Sequence, residues 1–173
     1  MEAIKAIDPS ILVEGEVGYI GTSSEILERA PDGLTLTTPQ EAHDFVTETR
    51  VDILAPAVGN MHGMLTSMVQ GEAKKHLDIE RIAQIKLAAQ VPLTLHGGSG
   101  TDDHDLRNAI AAGISIIHIN TELRIAWRRG LEEGLRKEPD EVVPYKILPL
   151  AVESVKQVTT SRLRLFNTRQ RAA

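Results

Sequence analysis

Two histidines followed by glycine carry the richest chemistry in this sequence. His62-Gly63 and His96-Gly97-Gly98-Ser99-Gly100 each stand behind an apolar run, Val51 to Val58 and Val91-Pro92-Leu93-Thr94-Leu95. A histidine at the end of a buried strand can present a ring nitrogen to a metal. On adjacent parallel strands His62 and His96 can converge on one point. Two neutral imidazoles are the start of a catalytic Zn2+ site, which commonly has three protein ligands and an open position. A single histidine of this kind more often caps a strand or bonds to backbone. The pair, with glycine behind both, favours the ligand reading. Glu16, at the end of another strand, is a candidate carboxylate ligand or outer partner. Glu14 and Glu16 share a strand face, which fits a polar functional strand end or an edge strand with one solvated face.

Gly97-Gly98-Ser99-Gly100 could hold a phosphate through backbone N–H groups and the Ser99 hydroxyl, beside a helix that starts near Asp102. A plain βα turn also favours Gly and Ser. Asn120-Thr121-Glu122 could form a second wall of that site, although Asn and Thr are ordinary cap residues. Arg124 reads as a solvated helix charge. His43, His76 and His104 read as solvated, and Met61, Met64 and Met68 as packing.

Alternating strands and helices must position these residues. Apolar runs predict strands at about 11–17, 51–58, 92–96 and 114–119, all parallel and each followed by a helix. Thr38-Pro39-Gln40-Glu41 is a capping box that opens a helix to about Thr49. Asp78 and Asp102 open two more, Gly113 ends the second, and Thr121 can cap a fourth. After Pro139 the pattern changes, and helices are expected over about 144–166. Residues 1–173 read as one domain. Four βα units admit a small open sheet or half of a (β/α)8 barrel. The polar residues fall at strand C-terminal ends, where barrels build their sites.

Composition excludes several classes. The net charge of -5 argues against a nucleic-acid binder. The basic cluster Arg162, Arg164, Arg169 and Arg171 reads as a solvated tail. With no cysteine, neither disulfides nor thiolate metal sites can form, so any zinc must be held by His, Asp or Glu. The first residues lack a signal-peptide core and no apolar run is long enough to span a bilayer, so a cytoplasmic location is expected.

Taken together, Val13-Glu14-Gly15-Glu16-Val17-Gly18, the segment Asp52 to Gly63 ending Gly59-Asn60-Met61-His62-Gly63, Leu95 to Gly100, and Ile119-Asn120-Thr121-Glu122-Leu123-Arg124 resemble the class II, zinc-dependent ketose-bisphosphate aldolases. Order and spacing agree over nearly the whole chain. The resemblance implies the second half of a TIM-type (β/α)8 barrel, with about four parallel strands plus C-terminal helices. It implies Zn2+ held by His62 and His96, with Glu16 as a carboxylate that meets the metal in an alternative position. A monovalent cation is a further candidate cofactor. Glu16 and His118 would take the catalytic roles. Gly63, Gly97, Gly98, Ser99, His118, Asn120 and Thr121 would bind the dihydroxyacetone phosphate part of a phosphosugar.

Three departures qualify the expectation. The chain starts at what looks like strand five, so the third zinc ligand and the general-acid aspartate of the family lie outside it. His118 stands where the family usually has Asn. Ser24 stands where an acid implicated in proton transfer is expected. The expected activity is aldol cleavage of a ketose 1,6-bisphosphate in carbohydrate metabolism, with the isolated chain inactive. The alternative is a non-catalytic phosphosugar-binding half-barrel remnant, and an isomerase-like barrel fragment fits less well. Two sheet edges would be left open, so a homo-oligomer or a partner half-barrel is expected, with no nucleic-acid or membrane partner.

Overall fold

The computed structural model describes residues 1–166. Arg169 and Arg171 of the basic cluster lie outside the described residues. Contacts divide the chain into two compact units, Met1–His118 and one from Ile119 onward.

The first unit carries a four-stranded parallel sheet in the order β1-β3-β5-β6, with β1 at Glu14–Val17, β3 at Ile53–Pro56, β5 at Leu93–Leu95 and β6 at Ile114–Ile117. Each of the four expected strands is present, in parallel, and each is shorter than its apolar run. At the C-terminal end of β3, side chains take up ladder groups. The Ala57 N–H is shared between the Val17 carbonyl and Thr37 Oγ1, at 3.2 and 2.9 Å, and the Val58 N–H goes to Asn60 Oδ1 at 2.7 Å. Two residue pairs not legible as strands, β2 at Ile26–Leu27 and β4 at Met64–Leu65, form a second small parallel sheet. The short helices α1 at Glu2–Ile7 and α3 at Thr66–Val69 were also outside the expectations.

The connecting helices start where cap chemistry puts them. In α2, Pro39–Thr49, Thr38 and Glu41 complete the capping box. In α4, Ile79–Ala89, the Asp78 carboxylate accepts from the Arg81 N–H, and in α5, Asp103–Ala112, Asp102 accepts from His104 and Asp105. Gly113 closes α5 at φ 125. These helices pack side by side, α2 on α4 and α4 on α5, along the sheet. Between helices and strands Leu54, Leu93, Leu95, Ile82, Ile85 and Leu106 are fully buried, forming the core. This succession of βα units is that of a TIM-type barrel.

The second unit holds α6 at Thr121–Lys137, α7 at Pro144–Ile147 and α8 at Pro149–Leu165. The expected helical stretch over 144–166 is thus two helices, separated at Leu148 just before Pro149. Asn120, not Thr121, occupies the N-cap of α6; Thr121 is its first helical residue and is buried. Arg162 is not part of a solvated tail. It lies on the face of α8 turned to α6 and its Nε donates to Glu122 Oε2 at 2.8 Å, with both side chains largely covered. Among the described residues no helix is long and apolar enough to cross a membrane.

Candidate metal centre

Strand alternation puts Glu14 and Glu16 on one face of β1 and Thr94 on the face of β5 opposite Leu93 and Leu95. At the end of β5 the chain turns into His96, and both acids meet that ring. Glu14 Oε1 lies 2.6 Å from His96 Nε2, and Glu16 Oε2 lies 3.0 Å from His96 Nδ1. The other Glu14 oxygen accepts from Thr94 Oγ1 at 2.5 Å. Both readings of these acids hold at once: β1 is an outer strand of the sheet among the described residues with Glu14 and Glu16 on its exposed face, and that polar strand end is directed at a histidine.

His62 comes to the same point from the loop after β3. Its ring centroid is 5.9 Å from that of His96. One potential ligand atom from each of Glu16, His62 and His96 lies within 4.8 Å of the others. Two imidazoles and a carboxylate form a donor set that Zn2+ takes in catalytic sites, so the residues present fit this ion. His118 stacks on His96, with centroids 4.7 Å apart and ring planes 25° apart.

The electrostatics suit that use. Burial pushes the His62 imidazolium down, and Glu16 only partly opposes it, so His62 titrates below its ordinary value and favours the neutral form a metal ligand needs. Burial pushes the Glu14 carboxyl up, but hydrogen bonds from Thr94 and His96 outweigh it and hold Glu14 ionised below its usual range. Glu14 thus sits on the Nε2 side of His96 while Glu16 sits on the Nδ1 side. That is the arrangement in which an outer carboxylate fixes the tautomer of a ligating histidine.

The loops are held as tightly as the rings. Asn60 spans them, its Oδ1 accepting from Val58 N and its Nδ2 donating to the His96 carbonyl at 3.0 Å. Gly97 adopts φ +60, and a Cβ there would lie 2.2 Å from the Met61 carbonyl oxygen, so only glycine lets the two histidine loops touch. Lys75 is buried, and its Nζ donates to the carbonyls of Met61 at 2.7 Å, Gly63 at 2.6 Å and Gly97 at 2.9 Å. Nothing in the sequence separates Lys75 from Lys74 beside it. Only burial reveals its role. Glu14 was visible beforehand as the partner of Glu16, but its contact with His96 was not.

The expected phosphate residues fall as follows. Ser99 is buried next to the metal group's loop, and the Gly98 N–H donates to the His118 carbonyl at 3.1 Å, so that amide is committed to backbone. Asn120 and Thr121 belong to the second unit, at the start of α6. Met61, Met64 and Met68 are buried packing residues, and His43, His76 and His104 are exposed, as their sequence context suggested.

The chain is similar to known proteins over almost its full length. The family model described as fructose-bisphosphate aldolase class-II matches residues 2–171, across both units. A fructose-bisphosphate aldolase of Staphylococcus epidermidis is 34% identical over 167 residues, which are 96% of this chain and 56% of that protein. Among solved structures, the YdjI aldolase of Escherichia coli K12 has a TM-score of 0.66 at 30% identity, covering 95% of this chain and 52% of that one. A fructose-bisphosphate aldolase of Campylobacter jejuni, at 18% identity and a TM-score of 0.61, covers 76% of this chain and 45% of that one and shares the fold. The chain therefore spans about half the length of the curated relatives it matches. With a donor set that could hold a metal at the ends of the strands and this similarity across 2–171, the chain belongs to the class II fructose-bisphosphate aldolase family.

Proposed function

We propose that this chain contributes the zinc and phosphosugar side of an aldolase site that reversibly cleaves a ketose 1,6-bisphosphate to dihydroxyacetone phosphate and an aldehyde phosphate. The observation that carries the reading is the convergence of Glu16, His62 and His96 on one point. In this reading those three residues hold Zn2+. When bound, the ion polarises the substrate ketone and stabilises the negative charge left by carbon–carbon cleavage. Glu14 orients His96. His118, exposed beside His96, donates a hydrogen bond to a substrate oxygen. Glu16 has a second role as a carboxylate able to hold a proton near the reacting carbon. Gly63, Gly97, Gly98 and Ser99 line the phosphate side, and the family resemblance adds Asn120 and Thr121. The substrate is a small phosphosugar. The catalytic whole requires a partner half-barrel or a second copy, and the isolated chain turns over slowly or not at all. The site works in the cytoplasm.

The test is metal content and affinity in the purified full chain. One Zn2+ per chain, lost in His62→Ala and in His96→Ala, is the expected result. A wild-type chain that takes up no Zn2+ would overturn the reading. A second reading, a non-catalytic phosphosugar-binding half-barrel, draws on the carboxylate contacts of His96. Glu14 and Glu16 already meet both its nitrogens, so the cluster is satisfied without a metal. Phosphosugar binding that is indifferent to Zn2+ would favour it.

A further inference from the structure

We propose that Lys75 is a positioning residue, a cation tethered to the chain, whose ammonium fixes the two loops carrying His62 and His96 and takes the place of a free monovalent cation. The proposal rests on the reading that these histidines hold a metal. Its geometry, however, is independent of any ion.

Met61 and Gly63 flank His62, and Gly97 follows His96. Their carbonyl oxygens converge on one atom, Lys75 Nζ, at 2.7, 2.6 and 2.9 Å. Three carbonyl dipoles pointing inward make a cation site by elementary electrostatics, and an ammonium brings three N–H donors to meet them. Burial of a charge is tolerated only with such partners, and Lys75 is 4% exposed. The stem is fixed at its base as well. The Lys75 N–H donates to the Gly100 carbonyl at 2.9 Å, and its carbonyl accepts from Asp102 at 3.0 Å. Lys75 therefore grips the His96 loop by its own backbone and the His62 loop by its side chain. Without the ammonium, three carbonyls would face one another and the loops would separate, carrying the two rings apart.

A residue that merely fills space cannot be replaced by a dissolved ion; a tethered cation can. The full chain is prepared with Lys75→Ala and with Lys75→Met, which keeps the stem. Thermal stability without metal, and Zn2+ affinity by chelator competition, are measured at constant ionic strength with ammonium, methylammonium, potassium or tetramethylammonium. Both variants should bind Zn2+ about 10- to 100-fold more weakly than wild type, the range for removing an outer support of a metal ligand. In Lys75→Ala, ammonium or methylammonium should raise both stability and affinity, while the bulky tetramethylammonium should not. Lys75→Met and wild type should respond to none of the four.

Unchanged Zn2+ affinity in both variants would overturn the proposal, as would absence of rescue in Lys75→Ala. If Lys75→Ala folds only with ammonium present, the proposal stands. If it folds in none of the four cations, Lys75 is a core residue and the proposal fails. Should wild type itself bind no Zn2+, the metal reading falls, and the cation dependence of metal-free stability still decides the clamp.

Discussion

His96 is bounded on both ring nitrogens by carboxylates of the same strand, Glu14 and Glu16, two residues apart. The two acids have different neighbours and so different tasks. Glu14 also accepts from Thr94, which fixes its carboxylate away from the ligand group, whereas Glu16 joins His62 in that group. Glu14→Gln keeps the size and one acceptor but removes the charge that favours an Nε2-protonated His96. Zn2+ affinity should fall about 10-fold or more, as calorimetric titration would show. An unchanged affinity would reduce Glu14 to a strand-end acid. The His-Gly pairs and the paired acids were legible as chemistry because their types and spacing are unusual. Lys75 and Asn60 were not, because a buried lysine or asparagine has the same letter as a solvated one.

Helix caps and a close helix crossing set the next scale. Asp78 accepts the Arg81 N–H, and that hydrogen bond holds its carboxyl below the usual range. A carboxylate whose folded value is lowered stabilises fully above the ordinary aspartate range and loses that contribution as pH falls through the lowered value. Asp78→Ala should therefore cost about 1 kcal/mol at neutral pH. The gap between variant and wild type should shrink below about pH 4 in denaturant melts. In the second unit, α6 meets α8 through glycine. A Cβ on Gly130 would lie 2.6 Å from both Ala151 Cα and the Leu150 carbonyl. At an exposed helix position Gly→Ala stabilises. Here Gly130→Ala should destabilise, by about 1–3 kcal/mol of overpacking, and a thermal melt gives the sign directly. The helix caps were readable because they are local. The crossing was not, since a mid-helix glycine looks the same whether it faces water or another backbone.

On the scale of the molecule, β1 and β6 are the outer strands of the four-stranded sheet among the described residues. Edge strands present unpaired N–H and C=O groups that favour pairing with another chain. The chain also covers only 56% of the length of its Staphylococcus epidermidis relative. Light scattering coupled to size exclusion should show a species larger than one 18.9 kDa chain, or a monomer that gains mass when a complementary half-barrel is added. A monomer indifferent to such a partner would count against the assembly proposed here.

The sequence by itself determined the alternation of strand and helix, the helix starts, the absence of thiolate chemistry and the family. Those follow from local rules: apolar runs, cap residues, and motifs whose glycines and histidines recur at fixed spacing. Tertiary structure alone decided which carboxylate meets which nitrogen of His96, that Arg162 is paired inside a helix crossing, and that Lys75 holds both histidine loops. Each of these depends on groups far apart in sequence brought within 3 Å or so, where a hydrogen bond either forms or does not. Spacing along the chain brings candidates to a strand end. Only packing across strands selects the few that touch.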